Sequence, residues 1–268
     1  MGAGPADAGD PPVATDDADL ALALELADRA DRLSLAAFRS GLAVDRKQDG
    51  SPVTEADRGV ERELRERIEA AHPGDAVVGE EFGDAGSGSR RWYLDPIDGT
   101  RNFVRGIPVF ATLIALEVEG LMRVGVVSAP ALGRRWWAVR GGGAHASGRR
   151  VAVSRVGSLE QAQLAYDSVP GFAVRGLEER FLDLARRCGR SRGFGDFWSH
   201  VLVAEGCVEV AVEPEVSPWD LAPLLLIVEE AGGRFTDLEG RARVDGGSAV
   251  ATNGLLHEQV LEALRQPR

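Results

Sequence analysis

The sequence is poor in cysteine, in long apolar runs and in positive charge, and each shortage excludes a class of protein. Its two cysteines, Cys188 and Cys207, form no CxxC pair and no metal-ligand spacing, which argues against a zinc site and suits a reducing cytoplasm. No stretch approaches the roughly 20 apolar residues that span a bilayer, so we expect no membrane partner. The formal net charge of −11 disfavours nucleic acid as a partner, since a phosphate backbone requires a basic surface.

What the sequence does contain is typical of a globular protein. Its 268 residues, 44% hydrophobic and 27% charged, can bury a full core as one compact unit or two tightly joined subdomains. Residues 1–18 are rich in Ala, Gly, Pro and Asp and lack the basic flank and apolar run of a secretory signal, so we predict a disordered tail there.

Periodic segments predict a mixed architecture. An apolar stripe over 19–41 predicts a helix that ends at a glycine, and Thr54 is a plausible cap for a second helix that ends near Ala71. Short apolar runs over 76–78, 92–94, 110–119, 121–128, 135–139 and 150–153 predict a sizeable sheet, with 141–148 as a hairpin turn. The second half mixes strands and helices without a regular βαβ period. We therefore predict an α+β layered sandwich rather than a doubly wound parallel sheet.

One acidic segment directly follows the apolar run Trp92-Tyr93-Leu94. Proline fixes its own φ and keeps the preceding aspartate extended, so two carboxylates three residues apart could converge with a carbonyl between them, as a hard cation requires. The glycine after them permits a close approach to its backbone amide, which would suit a phosphate. An ordinary Asp-Pro turn with a capping Asp is an equally good explanation of these residues alone. The segment is Asp95-Pro96-Ile97-Asp98-Gly99-Thr100.

Three further acidic points are each ordinary when taken singly. Glu80 follows the predicted strand at 76–78 and would usually be solvated. Asp57 and Asp220 lie near predicted helix starts, where carboxylates commonly cap the helix or oppose its dipole.

Taken together, these segments resemble the inositol-monophosphatase superfamily of Mg²⁺-dependent phosphatases in order, spacing and residue identity. The resemblance runs from about residue 19 to the C-terminus and implies the αβαβα sandwich of the inositol-monophosphatase/fructose-bisphosphatase type. The segment 98–108 is most similar to the histidinol-phosphate phosphatase branch. The matching motifs are Gly79-Glu80-Glu81, Asp95-Pro96-Ile97-Asp98-Gly99-Thr100 and Trp219-Asp220-x-Ala222 with Glu230-Ala231-Gly232-Gly233.

The resemblance implies a role for each matched residue. Two or three Mg²⁺ ions would be bound by Glu80, Asp95, Asp98, Asp220 and the Ile97 carbonyl. Asp57 would orient the Thr100 hydroxyl, which with Glu80 would position and deprotonate a metal-activated water, while the amides of Gly99 and Thr100 would hold the phosphate. Lys47 lies on a loop that covers the metals in this family, although an exposed lysine is nearly as good an interpretation.

Substrate choice is expected to depend on Asp196 and Glu213, which by resemblance face the alcohol portion of the substrate. Two carboxylates there would favour a cationic leaving group, and histidinol carries an ammonium and an imidazole. We therefore predict histidinol-phosphate hydrolysis in histidine biosynthesis. Inositol 1-phosphate, fructose 1,6-bisphosphate and 3′-phosphoadenosine 5′-phosphate remain alternative substrates, and a catalytically silent regulator that binds protein or RNA is an alternative of another class.

The resemblance also suggests how the chain divides into subdomains. We predict an N-terminal α+β subdomain over 19–155 that carries the metal site, and a C-terminal α/β subdomain over 156–268 that completes the site and sets specificity. Trp136-Trp137 in an alternating strand predicts one tryptophan in the core and one against a partner subunit. The expected protein is a cytoplasmic homodimer that acts on a small phosphorylated metabolite.

Overall fold

The computed structural model describes residues 14–41, 44–46 and 52–265. Helix α2 shows how the local sequence sets an element boundary: the Thr54 hydroxyl accepts a hydrogen bond from the Ala56 amide, and the Asp57 carboxylate accepts one from the Thr54 amide. This reciprocal cap satisfies amides that have no partner within the helix. The helices are α1 (Ala14–Ala37), α2 (Glu55–Ala71), α3 (Thr100–Val104), α4 (Val169–Val174), α5 (Glu178–Arg187), α6 (Asp196–Ala204), α7 (Pro218–Glu230) and α8 (His257–Leu264).

The first half of the chain forms an eight-stranded sheet and a small separate ribbon. The ribbon pairs β1 (Val44–Arg46) with β2 (Pro52–Thr54). The sheet has the order β10-β9-β8-β7-β6-β5-β3-β4 and is antiparallel except for the parallel pair β3 and β5. Its strands are β3 (Ala76–Gly79), β4 (Gly83–Ala85), β5 (Arg90–Asp98), β6 (Ala111–Val118), β7 (Leu121–Ala129), β8 (Arg134–Val139), β9 (Gly143–Ala146) and β10 (Arg149–Arg150).

The second half forms a five-stranded mixed sheet in the order β12-β11-β13-β15-β14. β11 runs parallel to both of its neighbours, whereas β15 is antiparallel to both of its own. The strands are β11 (Gln163–Tyr166), β12 (Arg190–Arg192), β13 (Val210–Glu213), β14 (Arg234–Thr236) and β15 (Ala249–Thr252). The change from one sheet to the other lies between β10 and β11, next to the predicted boundary at residue 155, and the division into two subdomains stays a prediction.

Three apolar clusters hold five layers together. One cluster joins α1 and α2 to the outer face of the first sheet and includes the fully buried Trp92. A second, which includes Phe197 and Phe235, fills the space between the two sheets, where α6 and α7 lie. A third packs α5 and α8 on the far face of the second sheet around Phe181. The order is therefore α, β, α, β, α, as the family resemblance predicted.

Helix α7 approaches the first sheet closely because a glycine lies beneath it. A Cβ built at Gly125 of β7 would lie 3.0 Å from the Cα and the carbonyl oxygen of Pro223. That distance is shorter than ordinary van der Waals contact, so the depth at which α7 sits depends on the absence of a side chain at residue 125.

Several predicted boundaries differ from the structure. α1 begins at Ala14, inside the predicted tail, and it ends at Ala37. The segment 141–148 is not a single hairpin turn, because β9 lies within it and pairs with both β8 and β10. Trp136 is buried, as predicted for one tryptophan of the pair, while Trp137 stacks on His145 with ring centroids 4.0 Å apart. No helix in the described part of the chain is both long and apolar enough to cross a membrane.

Candidate active site

Three aspartates distant in sequence meet at one point. One carboxylate oxygen from each of Asp95, Asp98 and Asp220 lies within 4.8 Å of the others. Asp95 and Asp98 belong to the end of β5, and the register of β5 against β6 shifts between them. The segment is thus a bulged strand end rather than the turn after a strand that the sequence suggested. A bulge re-aims side chains, and here two carboxylates of one strand come together.

Glu80 joins these aspartates through strand pairing. β3 runs parallel to β5 with Gly79 opposite Leu94, and the Glu80 amide donates to the Leu94 carbonyl at 3.3 Å. Glu80 therefore follows its strand beside Asp95, close enough for its charge to raise the pKa of Asp95. The predicted metal ligands Glu80, Asp95, Asp98 and Asp220 form one acidic cluster.

The electrostatics of this cluster are unfavourable without a cation. Burial is the largest cause that raises the pKa of Asp95 and Asp98 well above the usual range, and the neighbouring carboxylates raise both further. Burial also raises the pKa of Asp220 to about 7, with contributions from the charges of Glu80 and Glu213. A group of wholly or partly buried carboxylates whose charges repel one another fits a hard divalent cation, which would neutralise them.

Asp57 and Thr100 lie together, as the resemblance implied. The Thr100 hydroxyl is 3.3 Å from Asp57 Oδ1 and 2.9 Å from the Ile97 carbonyl oxygen. Asp57 Oδ2 meanwhile accepts from the Thr54 amide at 2.7 Å and from the Thr54 hydroxyl at 2.6 Å. Asp57 therefore caps α2 with one oxygen and contacts Thr100 with the other, so the two interpretations of this residue are compatible.

Asp220 combines the same two properties at the start of α7. Its Oδ2 accepts from the Ser217 amide at 2.8 Å and completes a capping box, while a carboxylate oxygen of Asp220 lies within 4.8 Å of one from Asp95. Cap geometry fixes the side chain of a residue at the third helical position. The site therefore uses two helix caps to hold carboxylates in place.

Gly99 forms the junction between β5 and α3. Its φ of 79° lies in the left-handed region, and a Cβ there would be 3.0 Å from the Val109 carbonyl oxygen. A larger residue would be strained in both respects. Gly99 and Thr100 thus place the start of α3 directly beside Asp98.

A small acidic pocket adjoins the four predicted metal ligands Glu80, Asp95, Asp98 and Asp220, which are called the metal cluster from here on. It has a volume of about 90 Å³, and larger grooves elsewhere on the described surface contain none of the predicted metal ligands. Asp196 and Glu213, the two predicted specificity residues, both line it. The residues of this acidic pocket are Asp98, Asp167, Asp196, Phe197, Glu213, Glu215, Val216, Asp220 and Leu224.

Asp196 is held at the first residue of α6 in a strained backbone conformation, with φ of 50°. Its Oδ2 accepts from Asn102 Nδ2 at 3.1 Å, and the next amide, of Phe197, donates to Asp98 Oδ2 at 2.6 Å. Burial, followed by the charges of Glu213 and Asp167, raises the pKa of Asp196 to about 7. Strain in a fixed backbone is found where a side chain must be aimed, and here α6 connects the pocket to the metal cluster.

Two residues near the pocket were missed from the sequence. Asp167 lies at the exposed rim directly after β11, and its pKa is raised by partial burial and by the charge of Glu213. It obeys the rule that drew attention to Glu80, an acid after a buried strand, and that rule could have found it. His200 lies fully buried behind Glu213 and carries no comparable signal, because its neighbour is on another element.

The remaining predicted residues are placed less fully. Ile97 is buried, and its carbonyl accepts the Thr100 hydroxyl. Lys47 lies outside the described residues. Arg101, left out of the predicted site, is exposed, and its charge lowers the pKa of Asp167 and Asp196.

Comparison with known proteins adds independent findings. The sequence matches the model of the Inositol monophosphatase family over residues 16–267. It is 55% identical to a histidinol-phosphatase of Mycobacterium tuberculosis over 92% of this chain and 97% of that protein. It is 50% identical to a histidinol-phosphatase of Streptomyces coelicolor over 92% of this chain and 97% of that protein. The fold is similar to that of an inositol monophosphatase from Zymomonas mobilis, with a TM-score of 0.84, 34% identity, and coverage of 94% of this chain and 99% of that one.

Proposed function

This chain belongs to the inositol monophosphatase family, and on that premise we propose that it hydrolyses histidinol phosphate to histidinol and phosphate in histidine biosynthesis. The predicted family, the layered fold and the phosphatase chemistry are confirmed. The observation that carries the choice of substrate is the acidic pocket beside the metal cluster, since Asp196 and Glu213 there would pair with a cationic leaving group.

The enzyme depends on divalent metal ions, as is typical of its family. We propose that the ions are Mg²⁺, two or three per site, held by Glu80, Asp95, Asp98, Asp220 and the Ile97 carbonyl. The convergence of three aspartates on one point, one of them buried and two partly buried, supports this ligand set. When bound, Mg²⁺ lowers the pKa of water and neutralises charge on the phosphate and the leaving oxygen.

Thr100 and Asp57 are suited to orient the attacking water. The single hydroxyl proton of Thr100 can be donated to Asp57 Oδ1 or to the Ile97 carbonyl, and in either case the Thr100 oxygen is left as an acceptor. A water beside Thr100 can donate one proton to that oxygen and the other to the Glu80 carboxylate. Glu80 would then act as the general base, and Asp57 would hold Thr100 in the accepting orientation.

Binding of the two ends of the substrate would be divided between two parts of the site. The amides of Gly99 and Thr100, at the start of α3, would donate to phosphate oxygens, and their place next to Asp98 supports this. Asp196 and Glu213 would receive the ammonium and imidazole of histidinol. A neutral alcohol such as inositol would leave these carboxylates without a cationic partner, which is unfavourable in a buried pocket.

The experiment that tests the proposal is phosphate release from four esters under matched conditions. Histidinol phosphate, inositol 1-phosphate, fructose 1,6-bisphosphate and 3′-phosphoadenosine 5′-phosphate would each be supplied with Mg²⁺ or with EDTA. We expect the highest kcat/KM for histidinol phosphate and no turnover in EDTA. A higher kcat/KM for inositol 1-phosphate would make that alternative the function.

We also propose that the enzyme is a cytoplasmic homodimer with its subdomain boundary near residue 155. The similarity to biosynthetic enzymes supports the location. Sedimentation equilibrium would test the dimer directly.

A further inference from the structure

His200 is buried directly behind the acidic pocket. It lies on α6, one turn after Asp196, and its side chain is 0% exposed. Its Nε2 is 3.4 Å from Glu213 Oε2, and its ring centroid is 5.5 Å from that of Phe235. The Glu213 carboxylate, which lines the pocket, thus lies beside this buried imidazole.

The polar side-chain atoms of His200 and Glu213 have few hydrogen-bond partners. Three of these atoms, His200 Nδ1, His200 Nε2 and Glu213 Oε1, are inaccessible to solvent. None of the three has a hydrogen-bond partner among the described residues. Buried polar groups in proteins are usually hydrogen-bonded, and exceptions call for an explanation. A histidine used only to fill space here could be replaced by an apolar ring, with no polar atoms to bury.

The two residues sit on elements that would keep this pair in register. Glu213 is the last residue of β13, held in the sheet opposite Ala249 of β15, and its side chain is 7% exposed. His200 is fixed by α6, whose first turn donates the Phe197 amide to Asp98. Helix α6 therefore makes three contacts with the site. It places Asp196 in the pocket, its Phe197 amide donates to Asp98, and its His200 lies beside Glu213.

We propose that His200 is a positioning residue for the leaving-group side of the reaction: when substrate binds, its Nε2–H, which lies 3.4 Å from Glu213 Oε2, donates to that oxygen and fixes the carboxylate that accepts from a cationic group of the substrate. This inference rests on the proposed function, because it assigns Glu213 to the cationic leaving group. His200 itself touches no substrate. Its effect is to hold one carboxylate oxygen in place, so it should matter for cationic esters and not for neutral ones.

The test compares two amide replacements that differ in reach. In His200→Gln the side-chain amide extends to about the position of the imidazole Nε2, whereas in His200→Asn it stops near Nδ1 and cannot reach Glu213. His200→Phe keeps the ring volume without a donor. Ser199→Ala is the matched control, since Ser199 is the preceding buried residue of α6. For each variant, kcat and KM would be measured with histidinol phosphate and with β-glycerophosphate, a neutral-alcohol ester.

We expect His200→Asn and His200→Phe to raise KM for histidinol phosphate about tenfold with kcat within about twofold of wild type, and to leave both constants for β-glycerophosphate unchanged. His200→Gln should restore KM to within about threefold of wild type, and Ser199→Ala should have no effect. Equal losses on both esters, or no difference between Gln and Asn, would overturn the inference and leave the proposed function intact. Failure of the wild type to hydrolyse histidinol phosphate would overturn both. If His200→Phe does not fold, the Gln and Asn pair decides the question.

Discussion

The metal cluster and the acidic pocket share Asp98 and Asp220, yet they are built in different ways. The cluster takes its carboxylates from the ends of two paired strands and from a capped helix start, so hydrogen bonds of regular structure fix each side chain. The pocket depends on a left-handed residue, Asp196, and on the contact of α6 with the second sheet. Under the proposed function, the first sheet and α7 would hold the chemistry common to all phosphate esters, and α6 with the second sheet would recognise a particular alcohol.

The largest test of this division removes one charge from the cluster. Asp98→Asn should lower kcat by at least about a thousandfold on histidinol phosphate and on β-glycerophosphate alike, because the loss concerns the phosphate end that both esters share. Phosphate release under saturating Mg²⁺ would measure this. Asp183→Asn, the same change at an exposed position of α5, is the control and should leave kcat unchanged. A loss confined to one ester would mean that Asp98 serves recognition instead.

Without metal, the stability of the protein should depend on pH through the carboxylates of the metal cluster. The pKa of Asp220 is about 7 in the fold against a usual 3.8, so its protonated form is favoured there. The resulting stabilisation is complete below about pH 4 and is lost as pH rises through 7, a change of about 4 kcal/mol for three pKa units. In EDTA, Tm should therefore fall by about 5 °C or more between pH 5 and pH 8, and Mg²⁺ at pH 8 should reverse the fall.

The matched variant for that measurement is Asp220→Asn, which carries no charge at either pH. Its Tm in EDTA should depend less on pH than that of the wild type, and Mg²⁺ should raise it less. The same pH slope in both proteins would show that other groups cause the instability.

Neutralising the pocket should affect one ester only. Glu213→Gln and Asp196→Asn should each raise KM for histidinol phosphate about 10- to 100-fold, because each removes one charge-assisted hydrogen bond to the leaving group, and leave β-glycerophosphate within about twofold. Since the pKa of Asp196 is about 7, its carboxylate predominates above pH 7. KM for histidinol phosphate should therefore decrease as pH rises through 7, and Asp196→Asn should flatten that profile. Equal losses on both esters would end the case for a cationic leaving group.

The smallest effect is expected at the rim. Asp167→Asn should raise KM for histidinol phosphate about threefold, because an exposed carboxylate is screened by water and contributes less than a buried one. Steady-state kinetics at low and moderate salt would measure it, and the effect should shrink as salt increases. An effect as large as that of Glu213→Gln would place Asp167 in direct contact with the leaving group.

The same difference between the two regions decided what the sequence could reveal. Glu80 and Asp95 follow apolar strand runs, and Asp57 and Asp220 open helices, so each is marked by its own chain neighbours. Their convergence was inferred only from the order of family motifs, since strand pairing between β3 and β5 joins distant segments. Asp167 has the strand-end signal but no matching motif, and it was missed.

His200 and parts of the second sheet had no local signal. The contact of His200 with Glu213 exists only because α6 packs on β13, and no spacing in the chain expresses it. No strand is predicted over the short segments β12 and β15, whose hydrogen bonds come from strands distant in sequence. Tertiary pairing, not propensity, makes these segments strands.

The close approach of α7 to Gly125 has a consequence for the evolution of the enzyme. Pro223, the residue in contact with Gly125, lies about one turn from Asp220, so a methyl group on the sheet would lift the helix and withdraw its carboxylate from the others. Residue 125 is not one of the predicted site residues, yet the absence of a side chain there sets how closely α7, which carries Asp220, approaches the first sheet. Substitutions at Asp196 or Glu213 are therefore expected to change which alcohol is accepted, whereas a side chain at residue 125 is expected to impair hydrolysis of every phosphate ester.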